Sequence, residues 1–317
     1  MRALLIVNPH ATSTTPLRRD VIVRALSSAV ELEVVETRYR GHATSLAGDA
    51  RGDGFGLVLT LGGDGTVNET VNGLLRDPAG SGAAAGPHRA DGLPALAPLP
   101  GGSANVFTRA VGLPADPVDA AGQILEALAQ GRDRRIGVGL AGERYFTFNA
   151  GLGLDAEVVR AVDGHRARGR AASPALYVRL TLRQYYRVTD RRHPALTLER
   201  DGHPPSEPFF LGIVSNTSPW TYLGRRPVYT NPQAAFDSGL DLFALRSLRP
   251  VGIFGTIRQM LSAQRAPHGR SVLTLHDQAD LTLRSARPVA FQVDGEYMGE
   301  HECVRFLAVP DALRVIA

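Results

Sequence analysis

Gly56-Leu57-Val58-Leu59-Thr60-Leu61 runs directly into Gly62-Gly63-Asp64-Gly65-Thr66-Val67-Asn68-Glu69. The first six residues are nearly all apolar, as in a strand of a parallel sheet covered on both faces. Beyond the glycines, Val67, Val71, Leu74 and Leu75 recur at helical spacing. The glycines permit positive φ and close approach to the backbone. A strand turning through them into a helix aims several N–H groups at one point, at the helix's positive end. That is a phosphate cradle needing no cationic side chain. Asp64 is the carboxylate inside it. It suits Mg²⁺, bound directly or through water, because that ion borrows one or two carboxylates and keeps water and phosphate oxygens besides.

The flanking sequence follows the same alternation. A strand at 3–7 ends in Asn8-Pro9. Thr15-Pro16 opens a helix, with Thr as cap, Pro in the first turn and Leu17, Val21, Val23 and Leu26 as its apolar face. A strand at 32–36 and a helix at 43–50 precede the quoted stretch. Residues 77–94, rich in Ala, Gly and Pro, read as a flexible surface insertion. A strand at 95–99 then meets a second glycine loop, Pro100-Gly101-Gly102-Ser103-Ala104-Asn105, followed by helices at 104–111 and 117–130. Ligands of open α/β sheets bind beyond the carboxyl ends of the strands, where both loops and Asn8-Pro9 emerge. Residues 1–135 are therefore expected to form a Rossmann-like layered α/β domain.

From about residue 136 short strands dominate, at 136–141, 144–149, 195–200, 208–215, 240–246, 271–276, 279–284 and 289–294. Helices interrupt them near 153–162, 174–189 and 251–264. This predicts an antiparallel β-sandwich over 136–304, with strand-like tail pieces at 304–309 and 313–316.

Composition removes whole classes of function. The 317 residues include no lysine, so every one of the 35 Lys+Arg positions is Arg. A P-loop NTPase, a protein kinase with its strand lysine and lysine Schiff-base chemistry are all excluded. The single cysteine, Cys303, permits no internal disulfide and reads as an inert strand thiol. A net charge of +4 is too small to indicate nucleic acid as a partner. No apolar run approaches the ~18 residues of a membrane span, and the first one stops at Asn8-Pro9, which makes a cytoplasmic protein the expectation.

Taken together, Asn8-Pro9, Thr37 with Gly41-His42-Ala43, GGDGTVNE at 62–69 and GGSANVFTRAVG at 101–112 resemble the diacylglycerol kinase catalytic-domain family, related to sphingosine kinases and NAD kinases. Gly151-Leu152-Gly153-Leu154-Asp155-Ala156, Phe236-Asp237-Ser238-Gly239-Leu240-Asp241 and Val293-Asp294-Gly295-Glu296 continue the resemblance in family order. It implies a nucleotide domain and a lipid-binding sandwich with the active site in the cleft between them, and residues 305–317 returning to the first domain. It places ATP along Asn8, Pro9, His10, Ala11, Thr12, Thr37, Gly62, Gly63, Asp64, Gly65, Thr66, Val67, Asn68, Gly102 and Ser103. Glu296 matches the general base, with Asp294 and Asp64 as further catalytic carboxylates. Besides Asp64, a structural Mg²⁺ is implied at Asp237 and Leu240.

The implied reaction is transfer of the γ-phosphoryl group of ATP to the hydroxyl of diacylglycerol or a similar lipid, giving phosphatidic acid. It would run at the inner face of the membrane, and a homodimer is possible. Ser103 stands where many relatives have Thr, Val106 where bacterial relatives often have Asp, and Ser238 interrupts an Asp-Asp-Gly pattern. A sphingoid base, a polyprenol or a soluble nucleotide are alternative acceptors, and a catalytically silent nucleotide- or lipid-binding protein is a different class of reading. Arg179, Arg183 and Arg187 with the Arg-rich stretch 165–170 read either as a lipid-headgroup contact or as a solvated face. Trp220 reads as a lipid entrance or as simple packing, and His42 as a polar contact rather than a ligand.

Overall fold

The computed structural model describes residues 1–11, 15–76, 92–166, 174–188 and 190–317. Thr12, most of the 77–94 insertion and part of the Arg-rich 165–170 stretch lie outside the described residues. The chain divides into two compact units, Met1–Val138 with Val309–Ala317, and Gly139–Ala308.

The first unit runs β1 (Arg2–Val7), α1 (Pro16–Ser27), β2 (Glu31–Glu36), α2 (His42–Gly52), β3 (Leu57–Gly62), α3 (Asp64–Leu75), β4 (Ala95–Pro100), α4 (Val106–Ala110) and α5 (Pro117–Ala129). The strands are parallel in the order β2-β1-β3-β4. The chain's end closes the row: Val315 pairs in parallel with Leu96, and the Ile316 amide donates to the Leu96 carbonyl at 2.9 Å. Every residue of β3 and β4 is buried, as their apolar runs require. One face packs on α1 and α5 through Ile22, Leu26, Ala120, Ala121 and Ile124. Thr15 caps α1, accepting from the Arg18 amide at 3.3 Å. The apolar face of α1 differs from expectation. Ile22 and Leu26 are buried, whereas Leu17 and Val21 are exposed. Positions 22 and 26 are one helical turn apart and face the sheet together; 17 and 21 form the neighbouring stripe.

β5 (Arg134–Ala141) crosses into the second unit, which continues through β6 (Arg144–Phe146), β7 (Asn149–Gly153), α6 (Leu154–Arg166), α7 (Pro174–Arg183) with a π-helical turn at Gln184–Val188, β8 (Leu196–Glu199), β9 (Leu211–Ser215), β10 (Thr221–Leu223), β11 (Arg226–Val228), β12 (Leu240–Leu245), α8 (Pro250–Met260), β13 (Val272–Gln278), β14 (Asp280–Val293) and the greater part of β15 (Glu296–Val315), whose last residues belong to the first unit. Strands pair in the order β13-β12-β9-β7-β14-β15, and β8 takes the other half of β14. The β12–β13, β9–β12, β7–β9, β7–β14 and β14–β15 pairs are antiparallel.

Leu240, Leu242 and Ala244 of β12 share a core with Leu281 and Leu283 of β14, which is not its neighbour. The sheet therefore curls and packs on itself as a sandwich does. A Cβ on Gly212 of β9 would lie 2.9 Å from the Leu283 side chain. The opposite face, Leu211, Ile213, Phe243 and Leu245, is covered by Leu154 and Val158 of α6, Tyr185 and Met260. A parallel α/β unit joined to an antiparallel β unit is the expected fold class.

Two pairs of expected strands are single long ones. β14 absorbs 279–284 and 289–294 through a register shift between Arg284 and Val289. β15 runs on through Pro310 and Asp311, with Asp311 at φ +50°. The register shift in β14 bends that strand without ending it.

Candidate active site

Register puts the carboxyl ends of three strands level. Val7 pairs with Leu61, Leu61 with Leu99, and Gly62 with Pro100. Backbone bonds tie the turns that follow: Asn8 N–H to the Leu61 carbonyl at 2.9 Å, Thr37 N–H to Val7 at 2.8 Å and Gly101 N–H to Gly62 at 2.7 Å. Asn8, Thr37, the 62–69 loop and the 101–105 loop thus share one sheet edge, as the motif spacing suggested.

The two glycine loops interlock. A Cβ on Gly101 would sit 2.9 Å from the Cα and N of Gly62, and one on Gly102 would sit 2.7 Å from Gly63 Cα. Those neighbours are backbone, so no side chain fits. α3 begins at Gly63 with no side-chain cap, while Thr66 and Val67 N–H return to the Gly63 carbonyl at 3.0 and 3.2 Å. An uncapped helix start beneath crossed glycine backbones suits an anionic ligand.

Side chains fix the cradle's walls. Asp64 Oδ1 accepts from the Phe107 amide at 3.1 Å, clamping the first loop to α4. Asn8 donates from Nδ2 to Thr66 Oγ1 at 3.2 Å and folds its own loop, accepting from His10 N at Oδ1 and from Ala11 N at its carbonyl. Asn68 is buried and accepts from Asn72 Nδ2. Ser103 is exposed and Val106 is buried, so position 106 adds no carboxylate.

Two residues without an assigned role prove central. Asn105, left-handed at φ +48°, accepts from Gly102 N and donates to the Gly102 carbonyl, both at 2.8 Å. Glu69 Oε1 accepts from Gly41 N at 2.8 Å and Oε2 from Ala43 N at 3.3 Å, which holds the start of α2. Gly-Gly-x-x-Asn is a local signal for the first. The second bridges 28 residues and leaves no local trace. His42 is a polar contact, accepting from Arg38 N at 3.1 Å and stacked on Tyr39.

In the second unit, Asp294 and Gly295 have φ of +47° and +75° between paired Val293 and Glu296. This is the two-residue type I′ hairpin that Asp-Gly specifies. The buried Asp294 carboxylate accepts from Thr147 N at 2.7 Å, Thr147 Oγ1 at 2.8 Å, Phe148 N at 3.0 Å and Asn149 N at 3.2 Å. Asp294 therefore builds the turn, beside the Glu296 that the resemblance assigns as base. Glu296 opens β15, partly accessible.

Gln292, also buried, links three groups. Its Nε2 donates to Asn149 Oδ1 at 2.8 Å and Asp155 Oδ2 at 2.9 Å, and its Oε1 accepts from Gly295 N at 2.9 Å. Asp163 Oδ2 accepts from Tyr297 N at 3.0 Å. Helix α6 thus holds both sides of the turn that carries Glu296. Burial raises the Asp155 carboxyl to about 6, against the lowering effect of the Gln292 hydrogen bond.

Internal hydrogen bonds order the segment where the structural Mg²⁺ is expected. Ser238 Oγ donates to the Ala235 and Gly239 carbonyls, and Gly239 N donates to Asp277 Oδ1 at 2.7 Å. Leu240 lies in β12, and Asp237 is exposed. The buried Asp241 accepts from His276 Nδ1 at 2.8 Å and Asp277 N at 3.0 Å, and desolvation raises its carboxyl. Among the described residues no cluster of three His, Cys, Asp or Glu could hold a metal. Asp64 fits an ion that arrives with a phosphate ligand, because Mg²⁺ needs only one or two protein carboxylates. Trp220 packs against the helix-covered core, and Asn149 Nδ2 donates to its carbonyl.

Residues 2–141 match the family described as the diacylglycerol kinase catalytic domain. A diacylglycerol kinase of Staphylococcus aureus is 25% identical over 305 residues, covering 94% of this chain and 87% of the relative. A diacylglycerol kinase structure from Bacillus anthracis aligns with TM-score 0.68 at 19% identity, covering 99% of this chain and 96% of the other. An NAD kinase from Archaeoglobus fulgidus, solved with ATP, aligns at 0.54 with 11% identity, covering 100% and 94%. The resemblance carried by the motifs is thus borne out.

Proposed function

Since residues 2–141 match the diacylglycerol kinase catalytic domain, we propose that this protein transfers the γ-phosphoryl group of ATP to the hydroxyl of diacylglycerol or a closely similar lipid. The observation that carries the reading is the pair of crossed glycine loops at the sheet edge, where a Cβ on Gly101 or Gly102 would strike backbone. Phosphoryl transfer asks mainly for positioning and charge stabilisation. Amides of the 62–66 and 101–103 loops bind the phosphate oxygens, and Asn8 and Asn105 hold those loops in shape. Mg²⁺, when bound with the nucleotide, would neutralise charge on the phosphates, and Asp64 is the residue that would hold it. Glu296 takes the proton of the acceptor hydroxyl as the lipid oxygen bonds to phosphorus and ADP leaves. An alcohol is a weak acid, so a carboxylate accepting its proton late in transfer suffices. Asp294 and Gln292 act through Glu296, as positioning residues. The reaction is placed at the inner membrane surface, where such lipids reside.

The test is label transfer from γ-labelled ATP with Mg²⁺ to diacylglycerol in mixed micelles. Wild-type protein should label the lipid, and Glu296→Gln should fall by roughly 100-fold or more. Full activity in Glu296→Gln would contradict the assignment of the base. Preferential labelling of a sphingoid base, polyprenol or NAD would reassign the acceptor. The buried Val106 favours one further reading, a silent relative. It predicts ATP-dependent thermal stabilisation with no labelled product.

A further inference from the structure

Leu240 of β12 pairs with Gln278 of β13, and Leu242 pairs with Leu275. Asp241 alone therefore faces two residues, His276 and Asp277, across an antiparallel ladder. This is a β-bulge, which re-aims a side chain at a chosen point of a strand. Here both bulged residues turn to one carboxylate oxygen. The buried Asp241 accepts at Oδ1 from His276 Nδ1 at 2.8 Å and from Asp277 N at 3.0 Å. Asp277 has φ +58°, a left-handed conformation that Asp and Asn adopt more readily than other side chains. Its own carboxylate reaches back, Oδ1 accepting from Gly239 N at 2.7 Å. The two strands meet tightly there. A Cβ on Gly239 would lie 2.8 Å from the Gln278 carbonyl oxygen and 2.9 Å from Asp277 Oδ1.

This is the segment where the resemblance implies a structural Mg²⁺, and the donor set does not fit one. Mg²⁺ asks for near-octahedral oxygen ligands with carboxylates among them. Ser238 brings a neutral hydroxyl, turned to the Ala235 and Gly239 carbonyls at 3.0 and 3.2 Å. Asp237 is exposed. An ion on Asp241 Oδ1 would have to displace two N–H donors. A structural ion at such a place satisfies a buried carboxylate and ties two segments together. The His276 imidazole and the Asp277 amide do both. We infer that His276, set on the bulge opposite Asp241, takes the place of the structural ion, so that the second unit holds its shape without a divalent cation. The position gives the clasp its consequence. Asp241 pairs with Ser215, Ser215 pairs with Asn149, and the Asn149 carbonyl accepts from Asp294 N at 2.8 Å. The clasp thus anchors the far end of the strand row that reaches the Glu296 hairpin.

Thermal unfolding of the full chain without nucleotide, in EDTA and in millimolar Mg²⁺, tests this. An Asp64→Asn background removes the carboxylate assigned to nucleotide-borne metal, so any ion effect there arises elsewhere. The melting temperature is expected to move by less than about 1 °C between the two buffers, whereas a saturated structural ion adds several degrees. His276→Ala should lower it by roughly 3–10 °C in both buffers, because the buried Asp241 loses a donor. The His276 side chain is 45% exposed, so little packing goes with it. His276→Asn, whose side-chain amide can stand where Nδ1 stands, should regain most of the loss. A rise of several degrees with Mg²⁺ in the Asp64→Asn protein would overturn the inference. So would His276→Ala melting like wild type, or His276→Asn falling as far as His276→Ala. No ATP or lipid enters these measurements. Ion-dependent melting in a protein that labels lipid would remove the clasp and keep the kinase reading. Ion-independent melting with no labelled lipid would do the reverse.

Discussion

Asp64, Asp155 and Asp294 are three carboxylates given different tasks by their surroundings. Asp294 spends both oxygens on the 147–149 segment, and Asp64 lends one to Phe107 N. Asp155 lies under Gln292, and loss of water lifts it to about 6. The fold therefore favours protonated Asp155. That stabilisation is fully present below the unfolded carboxyl value, ~4, and is lost as pH rises through about 6. Asp155→Asn is predicted to stabilise the protein at pH ~8 by up to about 3 kcal/mol and to have little effect at pH ~4. Urea titrations at the two pH values check this. Equal gains at both would show that ionisation of Asp155 is not the cause.

At the scale of elements, the β14–β15 hairpin and α6 form one device. Gln292 reaches Gly295 from one side and Asp163 reaches Tyr297 from the other. Gln292→Ala should lower kcat roughly tenfold through misplacement of Glu296, with KM for ATP unchanged because the phosphate cradle lies in the other unit. A matching rise in KM for ATP would show general unfolding instead of misplacement. Asp294-Gly295 was legible as a turn because positive φ at two residues has a strong local signature. The glycine loops were legible for a similar reason: each strand-to-helix switch changes the hydrophobic period. What escaped was set at long range. Arg284 and Pro288 look like strand ends, yet β14 passes them through a register shift against β15, and β15 itself continues past Pro310. Glu69 caps an element far away in sequence, and the inward stripe of α1 depended on which side met the sheet.

For the molecule as a whole, the absence of lysine frames the chemistry. Without lysine, the proposed phosphate site in the first unit relies on backbone amides. The central claim is that amides of two crossed glycine loops grip the triphosphate. It is tested most directly by calorimetric titration of Mg-ATP into wild type and Gly102→Ala. The added Cβ would meet Gly63 Cα at 2.7 Å and force the loops apart. The predicted result is an ATP affinity weakened roughly tenfold or more, from one or two misplaced hydrogen bonds to a charged group, with the circular dichroism of wild type. An unchanged affinity in a folded Gly102→Ala would contradict the account.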